Sequence, residues 1–238
     1  MKEITYLSSY IDKKRKVSQI HWGGGTPNAI SMRYIEEVTS FIKNNFKLTK
    51  DYEMAIECSP AYLDYKHVEQ LKNFGFNRIS LGIQDFNKNV LKAINRKGSR
   101  HPIEDLVKKI KFEGFRGTNI DLIYGLPLQS VKSFKKTIEK ATELDVDRIV
   151  TFSYAHLPSV FTRQKALDDI GFPSTLEKAK MYLNGFEHFT SNNYNSIGID
   201  HYAKKDDELS IALNNKTLGR NFQGYCTKSK TGQVYGFG

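Results

Sequence analysis

The sequence has 238 residues, a length that suits one large α/β domain or two small domains. It carries 36 Lys and Arg against 26 Asp and Glu, and the resulting net charge of +10 favours anionic partners. No stretch approaches the roughly 20 apolar residues that a membrane-spanning helix needs. The first ten residues also lack the apolar segment of a secretory signal. We therefore expect a cytoplasmic protein without a membrane span.

The two densest runs of positive charge, residues 13–16 and 108–111, contain no aromatic side chains of the kind that stack on bases. Solvated helix faces explain these runs, so we expect no nucleic-acid partner. The positive charge alone suggests one other class of function, a nucleic-acid-modifying enzyme. Its binding to RNA would depend steeply on salt concentration.

The only cysteines, Cys58 and Cys226, are too far apart in sequence to form a CxxC-type metal or redox pair. We expect two reduced thiols and no metal ligands in this chain. His156 and His201 have no His or Cys at ligand spacing, so we expect hydrogen-bonded structural histidines.

Short β-branched runs recur along the chain, and a segment with helical spacing of apolar residues follows each one. The predicted strands cover residues 17–22, 54–57, 78–83, 118–124 and 148–154. Boundary residues support the helices between them: Ser31 and Ser130 are possible N-caps, Pro102 suits a first turn, and Gly75 suits a left-handed helix end. This alternation predicts an α/β fold, a partial parallel (β/α) barrel.

After Pro158 the pattern loosens into one helix, residues 176–189, and a Gly- and Asn-rich tail. We therefore divide the chain into a barrel segment, residues 1–158, and a barrel extension, residues 159–238.

The unusual polar groups follow the strands, at the end where α/β barrels build their active sites from loops. In chain order they are Gly23-Gly24-Gly25-Thr26, Glu57, Gln84-Asp85, Asp121 and Ala155-His156. The glycine turn lets the backbone approach a ligand closely, but it is neither a Walker loop nor a dinucleotide fingerprint. Glu57 and Asp121 could hold a ribose hydroxyl or an ammonium group, or could be structural acids paired with Arg78 or Arg96.

Six motifs carry a resemblance to a known family. They are the segments at residues 19–27, 77–86, 119–127, 154–156, 198–203 and 220–225. Their order and spacing resemble the oxygen-independent coproporphyrinogen III oxidases, which are radical S-adenosylmethionine enzymes, from about residue 17 to residue 238. The GGGTP turn is shared by several radical S-adenosylmethionine families, whereas GIDHYA and RNFQGY are more diagnostic.

The resemblance implies that S-adenosylmethionine is cleaved reductively and that its 5′-deoxyadenosyl radical removes a hydrogen from a propionate of coproporphyrinogen III. Carbon dioxide is then lost and a vinyl group remains, with an external electron donor and a monomeric enzyme. By motif position, Gly24 and Glu57 resemble contacts to the S-adenosylmethionine on the 4Fe-4S cluster. The residues that resemble contacts to a second one are Gly25, Thr26, Gln84, Arg96, Asp121 and Ala155.

One departure from the family matters most. The family holds its 4Fe-4S cluster with three cysteines in a CxxxCxxC loop upstream of the matching segment, and this sequence contains no such loop. The cluster supplies the electron for this chemistry. We therefore expect a fragment, truncated at both ends and inactive alone. The alternative function is that of the related haem chaperones, which share the GGGTP turn and bind haem.

Overall fold

The computed structural model describes residues 1–221, 224–228 and 232–238. The helices are α1 (Lys2–Ser8), α2 (Met32–Asn45), α3 (Tyr65–Phe74), α4 (Lys88–Ala93), α5 (Ile103–Phe112), α6 (Val131–Glu143), α7 (Thr175–Ser191) and α8 (Glu208–Asn214). The strands are β1 (Lys16–Trp22), β2 (Lys47–Cys58), β3 (Arg78–Gln84), β4 (Gly117–Tyr124), β5 (Arg148–Ser153), β6 (Tyr194–Ser196), β7 (His201–Lys204), β8 (Leu218–Asn221) and β9 (Gly224–Thr227). Short 3₁₀ helices lie at Pro27–Ala29, Pro60–Tyr62 and Thr162–Ile170.

The main sheet has the strand order β1-β2-β3-β4-β5-β7-β6. Strands β1 to β5 lie side by side in chain order and each neighbouring pair is parallel. The prediction of five parallel strands alternating with helices is therefore confirmed. Strand β2 is longer than predicted, since it begins at Lys47 rather than at residue 54.

Helix boundaries follow local chemistry. Asp64 caps α3 by accepting a hydrogen bond from the His67 amide at 2.9 Å, and Gly75 ends that helix with φ of 100°. Ser130 and Ser133 form a reciprocal capping box that begins α6. Pro102 is the N-cap residue of α5, one position earlier than predicted, and Ser31 precedes α2 without a capping bond from its side chain.

The segment after Pro158 adds two strands that the sequence did not predict. Strand β7 pairs antiparallel with β5, and β6 pairs antiparallel with β7. The sheet therefore runs on past residue 158, and the division of the chain at that residue stays a prediction. Within the described residues, no helix is both long enough and apolar enough to cross a membrane.

Four residues of the RNFQGY motif, Arg220, Asn221, Gly224 and Tyr225, lie on the antiparallel strands β8 and β9, where Arg220 is paired with Tyr225. Phe222 and Gln223 of this motif lie outside the described residues.

The two faces of the parallel sheet differ in chemistry. One face carries the apolar positions of the strands, such as Ile56, Leu81 and Ile120, which are fully buried under the helices. The opposite face, called the polar face below, carries the alternate positions, which include Glu53, Glu57, Ser80, Asn119 and Asp121. Both faces of a parallel strand are usually apolar, so the polar face has to satisfy its own hydrogen bonds.

At the amino ends of the strands, a charged network meets this requirement. Arg78 Nε donates to Glu53 Oε2 at 3.0 Å, and Arg78 Nη1 donates to Asn119 Oδ1 at 3.1 Å. Arg148 Nε donates to Asp207 Oδ2 at 2.9 Å and its Nη2 donates to Glu208 Oε1 at 3.0 Å. Arg78 also lies 3.7 Å from Glu208, which joins the two halves of the network. The charged network thus ties β2, β3, β4 and β5 to the start of α8.

Replacing Arg78 by Met should lower the free energy of unfolding by about 3–5 kcal/mol, because it removes the guanidinium that bonds the buried carboxylate of Glu53. Urea denaturation measures this loss. Arg33→Met is the matched control: Arg33 forms a solvent-exposed ion pair with Glu37, and its loss should leave the free energy of unfolding nearly unchanged. Equal effects of the two substitutions would contradict a structural role for the network.

Candidate functional site

Polar groups also gather at the carboxyl ends of the parallel strands. This strand-end site consists of the glycine turn at residues 23–25 together with Glu57, Gln84, Arg96 and Asp121. Glu57 and Asp121 lie on the polar face of β2 and β4, and Arg96 approaches this face from the loop after α4.

The glycine turn leaves β1 with backbone geometry that favours glycine. Gly24 and Gly25 have φ of 78° and 58°, and a Cβ added to either would meet no atom within 4 Å. At Gly23, by contrast, a Cβ would lie 2.7 Å from His21 Nε2 and 2.8 Å from Glu57 Oε1. The turn therefore passes tightly over the His21–Glu57 pair and leaves open space above its next two residues.

Asn28, which the sequence analysis missed, fixes this turn to the neighbouring loop. Its side chain donates to the Ser59 carbonyl at 3.0 Å and accepts from the Ser59 amide at 2.9 Å. Asn28 is buried, with 3% of its surface exposed to solvent. An asparagine after Thr-Pro reads as an ordinary turn residue, so the sequence carried no signal for this role.

Glu57 pairs with His21 rather than with an arginine, which corrects the partners considered from sequence. His21 Nε2 lies 2.9 Å from Glu57 Oε1. This hydrogen bond lowers the pKa of Glu57, and the Gly24 amide contributes in the same direction, while partial burial opposes both. The carboxylate is thus ionised and remains accessible, with 45% of its side chain exposed.

Asp121 lies deeper on the polar face. Ser80 Oγ donates to its Oδ2 at 3.1 Å. Burial raises the pKa of Asp121 to about 6, and the bond from Ser80 and the nearby charge of Arg96 only partly offset that effect. Near neutral pH this is an anion held at an energetic cost, which a bound cation would relieve.

Arg96 reaches the same region from the loop after α4. Its Nη2 donates to the Gly82 carbonyl at 2.7 Å. A Cβ at Gly82 would lie 2.7 Å from this nitrogen, so the glycine makes room for the guanidinium. Burial lowers the pKa of Arg96, opposed by the charge of Asp121. No carboxylate of the described residues lies within ion-pair distance of Arg96, so it is a partly desolvated cation on the polar face and not a surface arginine.

Gln84 ends β3 in an unusual conformation. Its φ is 67°, in the left-handed region that non-glycine residues seldom adopt, and the pairing register with β4 shifts between Gly82 and Gln84. Its side-chain Oε1 is buried and has no hydrogen-bond partner among the described residues. Buried acceptors of this kind are rare, and they cluster where a ligand completes the bonding.

The adjacent Asp85 is different, because its carboxylate is fully used. It accepts from the Asn87 amide at 2.7 Å, from Gln129 Nε2 at 2.6 Å and from Thr137 Oγ1 at 2.8 Å. Asp85 therefore has a structural role, in which it connects the end of β3 to α6.

Two further predicted site residues, Thr26 and Ala155, follow β1 and β5, and among the described residues their contacts are made by backbone carbonyls. The Thr26 carbonyl accepts from the Ala29 amide at 3.0 Å, and the Ala155 carbonyl accepts from Gln164 Nε2 at 3.1 Å. Next to Ala155, His156 Nε2 lies 2.7 Å from Asp168 Oδ1. The predicted hydrogen-bonded role of His156 is thus confirmed.

Replacing Asp121 by Asn should stabilise the fold near neutral pH. The native pKa of about 6 lies above the ordinary value near 3.9, so ionising Asp121 costs folding free energy as the pH rises from about 4 to about 6. We expect the variant to gain up to about 3 kcal/mol relative to the wild type at pH 7, and little below about pH 4. Urea denaturation across this range measures the difference. Asp169→Asn, at an exposed position, is the control; a pH-independent difference for Asp121→Asn would contradict the assignment.

Comparison with known proteins identifies the family of this sequence. Residues 2–141 match the radical SAM superfamily. The oxygen-independent coproporphyrinogen III oxidase of Escherichia coli (strain K12) is 41% identical over 217 residues, which are 91% of this chain and 48% of that relative. The Synechocystis protein of the same name is 39% identical over 237 residues, 100% of this chain and 51% of its own.

A solved structure gives the same result. The coproporphyrinogen III oxidase from Escherichia coli superposes with a TM-score of 0.91 and 40% identity over 96% of this chain and 52% of that chain. The resemblance stated from the motifs and the predicted fold class are both confirmed. The chain spans about half the length of the curated relatives it matches, and it belongs to the radical SAM superfamily.

Proposed function

We propose that this chain binds S-adenosylmethionine at the strand-end site and serves the oxidative decarboxylation of coproporphyrinogen III propionates to vinyl groups, which forms protoporphyrinogen IX. The names of its relatives support this reaction over the haem-chaperone alternative. The net charge of +10 suits a substrate with four carboxylates.

The observation that carries the proposal is the pair of opposite charges at Arg96 and Asp121, which influence each other but form no ion pair among the described residues. Arg96 is a desolvated cation without an ion-pair partner among the described residues, and Asp121 is an anion whose pKa is raised to about 6. The methionyl end of S-adenosylmethionine carries one carboxylate and one ammonium group. A guanidinium binds a carboxylate through two parallel hydrogen bonds, and a buried aspartate is a strong acceptor for an ammonium.

The other residues of the strand-end site fit the rest of the cofactor. The open, left-handed turn at Gly24 and Gly25 admits a ligand against the backbone, and the ionised Glu57 can accept from ribose or ammonium. The orphaned Oε1 of Gln84 offers one more buried acceptor. When bound, S-adenosylmethionine supplies the radical that removes a hydrogen atom from the substrate. We propose that one or two molecules bind, in the roles that the family resemblance implies.

The residues of this chain do not fit the 4Fe-4S cluster. Cys58 and Cys226 are both buried, and burial raises the pKa of the Cys58 thiol and so disfavours a thiolate. Among the described residues no three His, Cys, Asp or Glu side chains are grouped to hold a metal. We therefore assign no step of the reaction to cluster ligands in this chain. The reaction also needs an electron donor from outside the chain, in the cytoplasm.

Replacing Arg96 by Ala should weaken binding of S-adenosylmethionine to the purified chain by roughly ten- to a hundredfold, because a charged hydrogen bond contributes about 1.5–3 kcal/mol. Equilibrium dialysis with labelled S-adenosylmethionine measures the affinity. Arg96→Lys should not restore it, since an ammonium lacks the two-pronged geometry. Arg33→Ala on the exposed face of α2 is the control. Near-normal affinity of Arg96→Ala would make Arg96 a bystander.

We also expect that the chain, reconstituted without oxygen in the presence of iron and sulfide, holds no stoichiometric 4Fe-4S cluster. Two buried cysteines cannot supply three thiolates. Iron analysis after gel filtration, with the visible absorption spectrum, tests this expectation. Four irons per chain would contradict it, and loss of that iron in Cys58→Ser would identify Cys58 as a ligand.

For the chaperone alternative, the deciding measurement is a haem titration. Tight stoichiometric haem binding, combined with no affinity for S-adenosylmethionine, would favour a haem-carrying protein over the proposed reaction.

A further inference from the structure

A second group of polar residues lies outside the strand-end site but on the same face of the sheet. One of its members, His201, is at the same position along the strands as Asp121. Val150 on β5 is paired with Asp121 on one side and with His201 on the other. Residues paired across neighbouring strands project to the same face of a sheet, so His201 lies on the polar face. Two strand spacings separate it from Asp121, about 10 Å.

His201 has one ring nitrogen engaged and one available. Its Nδ1 lies 2.6 Å from Asp200 Oδ1, whereas no hydrogen bond from its Nε2 occurs among the described residues. In the imidazolium form both nitrogens donate, so a ring held by Asp200 at Nδ1 can donate to a second anion from Nε2. His156 offers no such donor, because its Nε2 is bonded to Asp168 and its Nδ1 lies 3.4 Å from the Tyr154 hydroxyl.

Strands β8 and β9 place the cation of Arg220 against Tyr225, which is an aromatic neighbour of His201. The Tyr225 ring meets the His201 ring edge to face with centroids 5.0 Å apart, and the Arg220 guanidinium carbon lies 5.3 Å from the centroid of the Tyr225 ring. This pair of strands is held in place at Gly198, where a Cβ would collide with the Tyr225 hydroxyl. Arg220 is exposed and has no ion-pair partner in the part of the chain that the structure describes. Asp200, His201, Arg220 and Tyr225 form what we call the His201 cluster.

The packing of this region does not require these charges. The small core beneath consists of Ile197, Ala203 and Leu209, with Leu218 and Tyr225 against it. A phenylalanine at position 201 would keep the edge-to-face contacts with Tyr225 and Phe152. Packing therefore does not explain the polar groups of His201, Asp200 and Arg220, and binding of an anion by His201 and Arg220 does.

We propose that His201 and Arg220 bind one carboxylate of the substrate, with Asp200 positioning the imidazole. This inference rests on the proposed function, because it takes the substrate to be a tetrapyrrole with several propionate groups. The His201 cluster holds one propionate on the polar face, so that a different propionate of the same macrocycle faces the strand-end site. The flat rings of Tyr225 and Phe152 offer apolar surface to the macrocycle beside the bound carboxylate.

The probes are coproporphyrin III, which carries four free carboxylates, and its tetramethyl ester, in which they are masked. Fluorescence titration of the full chain measures both affinities. We expect Arg220→Gln and His201→Phe each to weaken coproporphyrin III binding by roughly ten- to a hundredfold and to leave the weaker ester binding unchanged. Asp200→Asn should weaken it less, because it acts through the histidine.

The matched controls are Arg33→Gln on α2 and His101→Phe, which keeps a ring stacked on Tyr65. Arg220 is an exposed side chain, so Arg220→Gln tests the proposal even if His201→Phe lowers the melting temperature. Wild-type affinity in Arg220→Gln, or equal losses for free acid and ester, would overturn the inference and leave the proposed function standing. Failure of the wild-type chain to prefer the free acid over the ester would contradict both.

Discussion

The polar face depends on one interaction, the bonding of the buried Arg78 guanidinium to side chains of the neighbouring parallel strands. Parallel strands usually bury apolar side chains on both faces, whereas here alternate residues of β2 to β4 are polar. A buried polar group must be hydrogen-bonded, and a buried charge must be paired. Arg78 meets this demand at the amino ends of the strands, where it bonds Glu53 and Asn119 and lies beside Glu208.

The carboxyl ends of the same strands follow the opposite rule. At this end Arg96 donates to a backbone carbonyl and has no carboxylate within ion-pair distance among the described residues. Asp121 accepts a hydrogen bond from Ser80. The buried Oε1 of Gln84 has no hydrogen-bond partner among the described residues. One sheet face thus carries ion-paired arginines at one end and, at the other, an arginine and an aspartate that form no ion pair among the described residues. Structure alone gains nothing from unmatched buried charges, so this asymmetry is the physical reason for assigning the ligand to the strand ends.

Much of the fold could be predicted from sequence, because periodicity and boundary residues agree. The bounds of strand β3 and the end of helix α3 were predicted within a residue or two, since apolar residues mark the strand and Gly75 marks the helix end. Strands β6 and β7 were missed because segments of three or four residues carry no readable period. They pair with β5 through contacts distant in sequence, which no local pattern reveals.

The site could be predicted in part from the positions of the strands. Parallel strands bring their carboxyl ends together, so Glu57 and Asp121 could be grouped from strand positions alone. Their partners could not be predicted: Glu57 bonds His21 across 36 positions of sequence, and Arg96 reaches Gly82 from the end of a separate loop. Asn28 is a common residue type in an ordinary turn, and only its loop contacts distinguish it. His201 lies in the GIDHYA motif, but only the register of the sheet places it on the polar face.

The central claim is that unmatched charges at the strand ends recognise the amino-acid end of an adenosyl ligand. S-adenosylhomocysteine and 5′-methylthioadenosine share the adenosine and a neutral sulfur, and they differ in the amino-acid group. Isothermal titration of the unaltered chain with both compounds tests the claim most directly. We predict that S-adenosylhomocysteine binds at least about tenfold more tightly, as expected for charged hydrogen bonds. Equal affinities for the two compounds would contradict the account.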